Sequence, residues 1–459
     1  MPTKRVAVIG GGITGLACAH RLTELAKESG APLDVVLFES ASRLGGIFES
    51  ENREGFLLEK GPDSFISEKP AALNLVKRLG LEKEILGTRP GHRRSFVAQN
   101  GNLTPLPEGF YLIAPTRIRP FLASPLMSFP GKMRVLSEMF VPARRTAADE
   151  SVASFVRRRF GQEALERVGQ PMLAGIYTGD PELLSLSATM PRFQELERRH
   201  GSVIRGLVTE AKKSKENLNG VSGPRYGLFL TFRNGIETLT KELARRLPAG
   251  AVKLNSEIKD VSYNWAKGKW RLVADHGETE ADAVCLAVSA AASGRLLTKT
   301  SRKISSQLGA LVHESVVTVN FGFRREDIAH PLDGFGFVVP RTEQSPLLAC
   351  SFSSQKFEGR APEGFALLRA FAGGAFGKKF LEFEDNTLRD IVRRELSSFL
   401  GIGRPPLFAV VRRHRNAMVQ YRLGHEEWVS RVRNELKEFR GLYLAGPAFK
   451  GAGIPDCVE

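Results

Sequence analysis

The stretch Val6-Ala-Val-Ile-Gly10-Gly-Gly12-Ile-Thr-Gly15-Leu16 decides the fold of this chain. It predicts an apolar strand that runs into a glycine-rich turn and then into a helix. The three numbered glycines have the spacing GxGxxG. The first permits a tight turn, the second lets a diphosphate approach the backbone, and the third lets the helix pack closely on the strand.

A carboxylate at the end of the next predicted strand completes the motif. Residues 34–38 are apolar and lead to Glu39, which follows Gly15 by 24 positions. A diphosphate would lie at the helix N-terminus, and an acid at this position accepts hydrogen bonds from a ribose diol. The acid disfavours a 2′-phosphate, so the motif indicates FAD or NAD rather than NADP. The sequence therefore predicts one βαβ unit that binds a dinucleotide.

The rest of the chain predicts a nucleotide-binding sheet built from separated segments, with a second domain inserted between them. At roughly 100–200 residues per domain, 459 residues suggest about two to four domains. The composition, 42% hydrophobic and 25% charged, is typical of a folded protein. Residues 151–247 look mostly helical. The predicted later strands lie at 258–261, 270–273, 283–288, 316–323, 365–372 and 441–446.

The net charge of +16 indicates an anionic partner. Between Gly87 and Phe160 there are twelve Lys and Arg against four Asp and Glu, an excess of eight. No nucleic-acid-binding signature accompanies this window, so no nucleic-acid partner is expected. Apolar runs at 110–115 and 120–130 lie inside it. Two interpretations stay open, a peripheral contact with an anionic membrane and an ordinary helical subdomain with a basic, solvated face.

Several classes of site and location are not expected. No uncharged run approaches the ~18 residues of a membrane-spanning helix. The first residues lead directly into a predicted strand, so no signal or transit peptide is expected. The four cysteines are far apart and form no CxxC pair, and the eight histidines have no ligand spacing. We therefore expect a cytoplasmic protein with reduced thiols and no metal.

Five stretches carry a resemblance to a known family. The segment Ser42-Arg-Leu-Gly-Gly46 places an arginine beside a glycine pair after the second strand. With the dinucleotide motif, it resembles the opening of the FAD-dependent amine-oxidase superfamily. Within that superfamily the chain resembles the porphyrinogen oxidases of haem biosynthesis nearly end to end. The specific stretches are 56–64, 149–156, 175–181 and 444–457.

The resemblance implies a mixed α/β fold of the amine-oxidase type. A Rossmann-like FAD-binding domain would comprise residues 1–87, 228–300 and 440–459. A β-sheet substrate domain would comprise 88–107, 185–227 and 301–439. Residues 108–184 would form a helical subdomain that could contact a membrane. Family members continue beyond the position of Glu459 into a helix on the flavin, so we expect the natural C-terminus to extend further.

The resemblance also implies which residues bind FAD, which would be held non-covalently. They are Gly10, Gly12, Ile13, Thr14, Gly15, Glu39, Ser40, Arg43, Gly45, Gly46, Ile47, Gly61, Pro62, Asp63, Ser64, Ile258, Gly446, Ala452, Gly453 and Ile454. The glycines of the first turn would hold the diphosphate, and Glu39 the adenosine ribose. The backbone of Ile258 would meet the adenine.

On the substrate side, the resemblance implies that Gly175, Val338, Ser351 and Phe371 line a cavity over the flavin. An apolar pocket with few polar groups suits a macrocycle. Plant and animal members place a propionate-binding arginine where this chain has a serine. The neighbouring Arg94 is our candidate for that role.

The implied reaction is a six-electron oxidation of protoporphyrinogen IX to protoporphyrin IX, with dioxygen as acceptor and hydrogen peroxide as product. Coproporphyrinogen III is the alternative substrate. A flavin amine oxidase, a carotenoid desaturase and a flavin or porphyrin carrier without turnover are further alternatives. No protein acid–base pair is predicted, because flavin N5 accepts the hydride. A homo-oligomer stays open.

Overall fold

The structure is a computed structural model that describes residues 2–90, 94–146, 148–216, 229–373 and 377–459. Within these ranges, no helix combines the length and the apolar character needed to cross a membrane.

The strands, in chain order, are β1 (Lys4–Ile9), β2 (Leu33–Phe38), β3 (Ser50–Arg53), β4 (Phe56–Glu59), β5 (Phe65–Ile66), β6 (Ile85–Gly87), β7 (Arg94–Gln99), β8 (Asn102–Pro105), β9 (Phe110–Tyr111), β10 (Ala114–Pro115), β11 (Phe229–Phe232), β12 (Val252–Lys253), β13 (Ile258–Asn264), β14 (Lys269–Ala274), β15 (Gly277–Ala281), β16 (Ala283–Leu286), β17 (His313–Arg324), β18 (Gly334–Val338), β19 (Leu347–Phe352), β20 (Phe365–Gly373), β21 (Phe408–Val419) and β22 (Leu442–Leu444).

The helices are α1 (Ile13–Ser29), α2 (Pro70–Arg78), α3 (Ile118–Ala123), α4 (Phe129–Leu136), α5 (Val152–Phe160), α6 (Gln162–Ala164), α7 (Gln170–Tyr177), α8 (Leu186–Thr189), α9 (Pro191–His200), α10 (Val203–Glu216), α11 (Glu237–Arg245), α12 (Ala290–Leu296), α13 (Arg302–Gly309), α14 (Ser353–Lys356), α15 (Gly377–Glu382), α16 (Asp385–Leu400), α17 (His425–Leu436), α18 (Pro447–Lys450) and α19 (Ile454–Val458).

The predicted nucleotide-binding sheet is present and is parallel. Its order is β12-β2-β1-β16-β22, so strands from the start, the middle and the end of the chain lie side by side. β1 is central, and Val8 pairs with Leu37 on one side and Cys285 on the other. Such a sheet is covered on both faces, which explains why its strands are continuous apolar runs.

A second sheet of seven strands has the order β21-β17-β20-β19-β18-β7-β8. All its neighbouring strands are antiparallel except β18 and β7. Alternate residues point to opposite faces. Val319 and Ala370 pack with Leu388 and Val392 of α16 on one face. The other face carries Phe371, which packs beside Ala174 of α7.

The expected domain boundaries differ from the packing in two places. Residues 185–227 were assigned to the substrate domain, but α8–α10 share one core with the preceding helices, including Phe155 and Phe193. That core also contains Val156 of α5, and Val97 of the seven-stranded sheet lies at its edge. α13 and α17, also assigned to the substrate domain, contribute Ile304 and Val432 to the core of the nucleotide-binding sheet. Residues 217–228 lie outside the described ranges.

A buried ion pair joins the parts of the helical region. The side chains of Glu138 and Arg159 are both fully buried and ion-paired. Glu138 also accepts hydrogen bonds from the backbone N–H groups of Val203 (2.9 Å) and Ile204 (3.2 Å), at the start of α10. One carboxylate therefore neutralises a buried guanidinium and caps a helix.

Replacing Glu138 by Gln should lower the free energy of unfolding by roughly 3 kcal/mol, because the buried Arg159 keeps only Glu197, at 3.3 Å, and α10 loses its charged cap. Chemical denaturation followed by circular dichroism measures this. The matched control is Glu182→Gln, which removes an acid from the exposed ion pair with Arg157 and should cost less than about 1 kcal/mol. Equal losses for the two variants would contradict the role given to Glu138.

Candidate active site

The turn between β1 and α1 is shaped by its glycines. Gly10 has a φ of +106°, a conformation that side chains rarely permit. A Cβ atom on Gly15 would collide with the carbonyl oxygen of Gly10, so the helix lies directly against the turn. A Cβ atom on Gly12, in contrast, would meet no protein atom within 4 Å. The turn therefore leaves open space beside its second glycine.

The first turn of α1 adds hydrogen-bond donors next to this space. The helix has 17 residues and starts after Gly12, and no side chain caps it. The N–H groups of Ile13, Thr14 and Gly15 thus lack a side-chain acceptor, and the helix dipole makes this end positive. An uncapped helix end beside open space suits a diphosphate.

Glu39 is held in place at the end of β2. Its Oε2 accepts a hydrogen bond of 2.6 Å from the Gly11 N–H, and its Oε1 accepts one of 2.8 Å from the Ala41 N–H. The hydroxyl of Ser40 lies 3.2 Å from the same carboxylate. A carboxylate has about four lone-pair sites, so acceptor capacity remains for a ribose diol.

A second glycine pair lies against the first turn. Gly45 donates its N–H to the Gly11 carbonyl at 2.8 Å, and a Cβ on Gly46 would come within 3.3 Å of the Gly12 Cα. Both glycines have positive φ, +100° and +57°. Arg43 donates to the carbonyls of Leu44 and Phe48, each at 3.1 Å. In this structure Arg43 therefore holds its own loop in shape.

The segment around Gly61 continues this arrangement. A Cβ atom on Gly61 would collide with the carbonyl of Ile47. The residue Ile47 itself is 58% exposed. Ser64 donates to Asp63 at 2.6 Å. Segments 10–15, 45–47 and 61–64 therefore lie next to one another, and Pro62 lies within the third.

The C-terminal segment reaches the same region. Gly446, with a φ of +130°, precedes α18, and Ala452 and Gly453 are exposed. Ile454 is buried in the core that includes Leu16 of α1. The Cys457 side chain interacts with Thr14, and burial raises the pKa of Cys457 to about 11, so its thiol stays protonated.

The strand β13 begins close to Glu39, which follows the end of β2. The Ser256 N–H donates to the Glu39 carbonyl at 2.8 Å. Ile258, two residues later, is buried with Phe38 in the core beneath the sheet. Its side chain thus packs inward.

Two of the five predicted substrate residues, Val338 and Phe371, meet on the open face of the seven-stranded sheet with Ala349 between them. Val338, Ala349 and Phe371 are cross-strand neighbours on β18, β19 and β20. We call these three the apolar row. A Cβ on Gly175 of α7 would lie 3.6 Å from Val338. Ser351 is one residue pair further along the sheet, opposite Gly336, and its hydroxyl donates to the Phe335 carbonyl at 3.4 Å.

A cluster of charged side chains lies around the segment 59–63. It consists of Glu59, Asp63, Lys356, Arg360 and Arg369, which we call the charge cluster. Lys356 pairs with Asp63 at 3.0 Å, and Arg360 lies 3.9 Å from Glu59. Arg369 donates to the Gly61 carbonyl, and its guanidinium lies 4.9 Å from the Phe371 ring.

The two acids of the charge cluster titrate differently. Burial raises the pKa of Glu59 to about 7, although Ser50 and a backbone N–H stabilise its charged form. Burial also acts to raise the pKa of Asp63, but the charges of Lys356 and Arg369 outweigh it and hold that pKa well below its usual value. Asp63 is therefore ionised at neutral pH, and Glu59 is partly protonated.

With this geometry described, comparisons with known proteins place the chain. A model of the family described as flavin containing amine oxidoreductase matches residues 13–459. The chain belongs to this family. Coproporphyrinogen III oxidase of Bacillus subtilis is 34% identical over 99% of this chain and 96% of its own length. Protoporphyrinogen oxidase 1 of Spinacia oleracea, a chloroplastic protein, is 29% identical over 98% of this chain and 82% of its own length.

Solved structures agree with this assignment. The crystal structure of a putative protoporphyrinogen oxidase from an Exiguobacterium species superposes with a TM-score of 0.87 at 30% identity, covering 100% of this chain and 97% of that one. Putrescine oxidase shares the fold, with a TM-score of 0.69 at 16% identity. The predicted fold and the prediction of an FAD-dependent porphyrinogen oxidase are therefore confirmed.

The residues of this flavin amine oxidoreductase fit FAD. The open space at Gly12, the uncapped start of α1 and the fixed carboxylate of Glu39 match a diphosphate and a ribose. Gly46 lies against Gly12, and Gly61 lies against the Ile47 carbonyl. Arg369 then connects Gly61 with Phe371 of the apolar row. The individual FAD contacts, including those of Ala452, Gly453 and Ile258, stay predictions.

Arg94 is the one substrate residue that the structure does not bring to the others. It is 66% exposed and pairs with Asp333 at 2.9 Å. On β7, Arg94 shares a face with Phe96, which belongs to the core beside α16. Val97, on the other face, belongs to the core of the helical region. Arg94 therefore starts on the face opposite the apolar row, and its role as a propionate anchor has no geometric support here.

Sequence reasoning missed two cations of the charge cluster, Arg369 and Lys356. The signal for Arg369 was available, because it interrupts an otherwise apolar strand, Phe365-Ala-Leu-Leu-Arg-Ala-Phe371. A charge inside such a run is rarely buried without a partner. Lys356 follows a different strand and meets Asp63 only in the folded chain, so no sequence spacing announces it.

The open space at Gly12 yields a test. Gly12→Ala should leave the thermal unfolding of the FAD-free protein almost unchanged but weaken FAD binding on the order of tenfold or more, because the new methyl group occupies the diphosphate position. Fluorescence titration with FAD measures the affinity. The control is Gly309→Ala on α13, where a Cβ also meets no protein atom within 4 Å. If both variants bind FAD like the parent, the diphosphate lies elsewhere.

Proposed function

We propose that this flavoprotein oxidises coproporphyrinogen III to coproporphyrin III, consuming three molecules of dioxygen and releasing three of hydrogen peroxide. The observation that carries the proposal is the ranking of relatives. Coproporphyrinogen III oxidases of three bacteria are 31–34% identical to this chain, and protoporphyrinogen oxidases of plants and cattle are 28–30% identical. Protoporphyrinogen IX, the substrate favoured by the sequence, becomes the second candidate.

The apolar row supports a flat macrocyclic substrate. Val338, Ala349 and Phe371 present small and aromatic surfaces side by side, without a charged group among them. Gly175, on the neighbouring helix, adds no side chain beside the row, and a Cβ there would lie 3.6 Å from Val338. A tetrapyrrole ring needs an apolar surface of this kind, where few polar groups are required to orient it.

A cleft next to the row supports a substrate with many carboxylates. It has a volume of about 520 Å³ and is lined by Gln170, Arg341, Gln344, Ser345 and Leu348, among others. Leu348 packs with Ala174 and Phe371, which connects the cleft to the row. Coproporphyrinogen III carries four propionates and protoporphyrinogen IX carries two. Arg341 lies 3.4 Å from Asp180, and together with the neighbouring amides it can bind a propionate at this edge of the row if it exchanges that partner.

The protein's part in the reaction is to orient the substrate and exclude water. Bound FAD supplies the hydride acceptor. The apolar row and Gly175 would hold one face of the porphyrinogen, and Arg341 would fix its rotation through a propionate. We infer no acid–base step by a protein side chain. Asp63 is ion-paired with Lys356, and the buried Glu59 accepts hydrogen bonds from the Ser50 hydroxyl and the Ile236 N–H.

The substrate assignment is tested by anaerobic mixing with each porphyrinogen, while flavin absorbance and porphyrin fluorescence are recorded. Coproporphyrinogen III should bleach the flavin faster than protoporphyrinogen IX at equal concentration. Arg341→Gln should raise KM for coproporphyrinogen III by about threefold to tenfold with little change in kcat, because a charged hydrogen bond is lost. Arg389→Gln, on α16 at the opposite face, is the control. Faster reaction with protoporphyrinogen IX would favour the second candidate.

A peripheral membrane contact is a separate proposal that rests on the surface of the helical region. Large apolar side chains of α3, α4 and the following turn are exposed, namely Ile118, Leu122, Phe129, Met133 and Phe140. Phe129 is 70% exposed and Phe140 is 78% exposed. Lys132 and Arg119 lie among them in the sequence. Apolar side chains beside cations suit the headgroup layer of an anionic membrane. The four free cysteines suit the cytoplasm.

Co-sedimentation with liposomes tests this contact. The protein should sediment with vesicles that contain anionic lipid, and less so as salt rises, since screening weakens attraction to the surface. Phe129→Ser together with Phe140→Ser should reduce binding without changing the FAD content. Binding that ignores both lipid charge and salt, or that survives the double substitution, would contradict the proposal.

A further inference from the structure

Two cysteines meet between the first helix and the nucleotide-binding sheet. Cys18 is on α1, and Cys285 is on β16, where it pairs with Val8 of β1. Both side chains belong to the core that α1 forms with the sheet. The oxidation proposed above uses neither thiol, so the pair needs an explanation of its own.

The packing of α1 places these two positions opposite each other. A Cβ atom on Gly15 would lie 3.3 Å from the Cβ of Ala287, which directly follows β16. Cys18 comes three residues after Gly15 on the same helix face, and Cys285 comes two residues before Ala287 on the same sheet face. Because α1 connects the parallel strands β1 and β2, it runs back against the strand direction. Both steps therefore lead the same way, by roughly 4.5 Å on the helix and roughly 6.6 Å on the strand.

The two thiols are in contact, and the contact makes them unequal. The Cys285 S–H donates a hydrogen bond to the Cys18 sulfur, which lowers the pKa of Cys18 although burial acts against it. The same hydrogen bond, together with burial, raises the pKa of Cys285. Cys18 is also partly exposed, whereas Cys285 is 6% exposed. The thiolate is the reactive form of cysteine, so Cys18 is the nucleophile of the pair.

The other two cysteines have less reactive surroundings. Cys350 is buried on β19, and burial raises its pKa. Cys457 interacts with Thr14, one helical turn before Cys18, and burial raises the pKa of Cys457 to about 11. Both thiols stay protonated at neutral pH and are poor nucleophiles. They serve as internal references for the reactivity of Cys18.

We propose that Cys18 and Cys285 form a reversible disulfide when the protein meets hydrogen peroxide. The Cys18 thiolate attacks one peroxide oxygen, so an S–O bond forms and the O–O bond breaks. The leaving hydroxide takes up the proton that Cys18 has lost and becomes water. The Cys285 sulfur then attacks the sulfenic acid of Cys18, an S–S bond forms, the S–O bond breaks, and the proton of Cys285 leaves with the second water. The two thiols lose two electrons in total, and the peroxide gains them.

The place of the pair connects it with the dinucleotide site. The first turn of α1 borders the open space at Gly12, and a bond from Cys18 to the sheet would fix this helix covalently. The oxidase reaction proposed above releases hydrogen peroxide and so supplies the oxidant inside the same protein. Disulfides in reducing compartments are typically transient and respond to oxidants. The inference does not depend on which porphyrinogen is the substrate, because added peroxide reacts in the same way.

The test exposes the FAD-loaded protein to hydrogen peroxide without any porphyrinogen. The remaining thiols are then alkylated in denaturant, and the peptides are identified by mass spectrometry. Cys18 and Cys285 should disappear from the alkylated pool together, at least about tenfold faster than Cys350, and should be recovered as one linked peptide pair. Dithiothreitol should restore both thiols. This measurement uses the unmodified chain, so it does not depend on whether a variant folds.

Variants separate the two steps. Cys285→Ala should stop at the sulfenic acid of Cys18, which dimedone traps, and Cys18→Ala should leave Cys285 as a thiol. Cys350→Ala is the matched control and should form the disulfide at the parent rate. The proposal fails if Cys18 and Cys285 are still alkylated when Cys350 is already oxidised, or if dithiothreitol does not restore them. A bond from Cys18 to Cys457 or to a second chain would equally overturn it.

Discussion

The close approach of three backbone segments, near Gly12, Gly46 and Gly61, is the constraint on which the rest of this structure depends. At Gly61 a single Cβ atom would force the neighbouring segments apart, and at Gly12 it would fill the space that the turn leaves open. The segments come from different elements, so the parallel sheet must bring β1 and β2 into register before the contact can form. The dinucleotide site is therefore a property of the assembled sheet and of no single loop.

The seven-stranded sheet adds the surface that we assign to the substrate. Its core face is held by α16, and its open face presents two adjacent cross-strand rows. One row is apolar and faces Gly175. The next contains Ser351, Arg369 and Asn320 in register. Burying three cations next to an apolar surface is expensive, and the two acids of the charge cluster, Glu59 and Asp63, offset part of that cost.

Much of this was predictable from local pattern. The strands around Val8 and Leu37 and the turn at Gly10 were found because each is encoded by contiguous residues. Arg94 was misplaced because strand alternation, which puts it with Phe96 and away from Val97, depends on where β7 begins. Arg369 and Lys356 escaped notice because their importance comes from partners about 300 positions away, such as Asp63. The extent of the helical core depended on tertiary packing of α8–α10, which no local signal specifies.

The most direct test of the account is a crystal structure of the protein with FAD bound. We expect the diphosphate against Gly12 and the first turn of α1, the ribose on Glu39, and the isoalloxazine ring between Gly61 and the apolar row. A ring that lies away from Phe371, or a diphosphate that makes no contact with the first turn of α1, would contradict it.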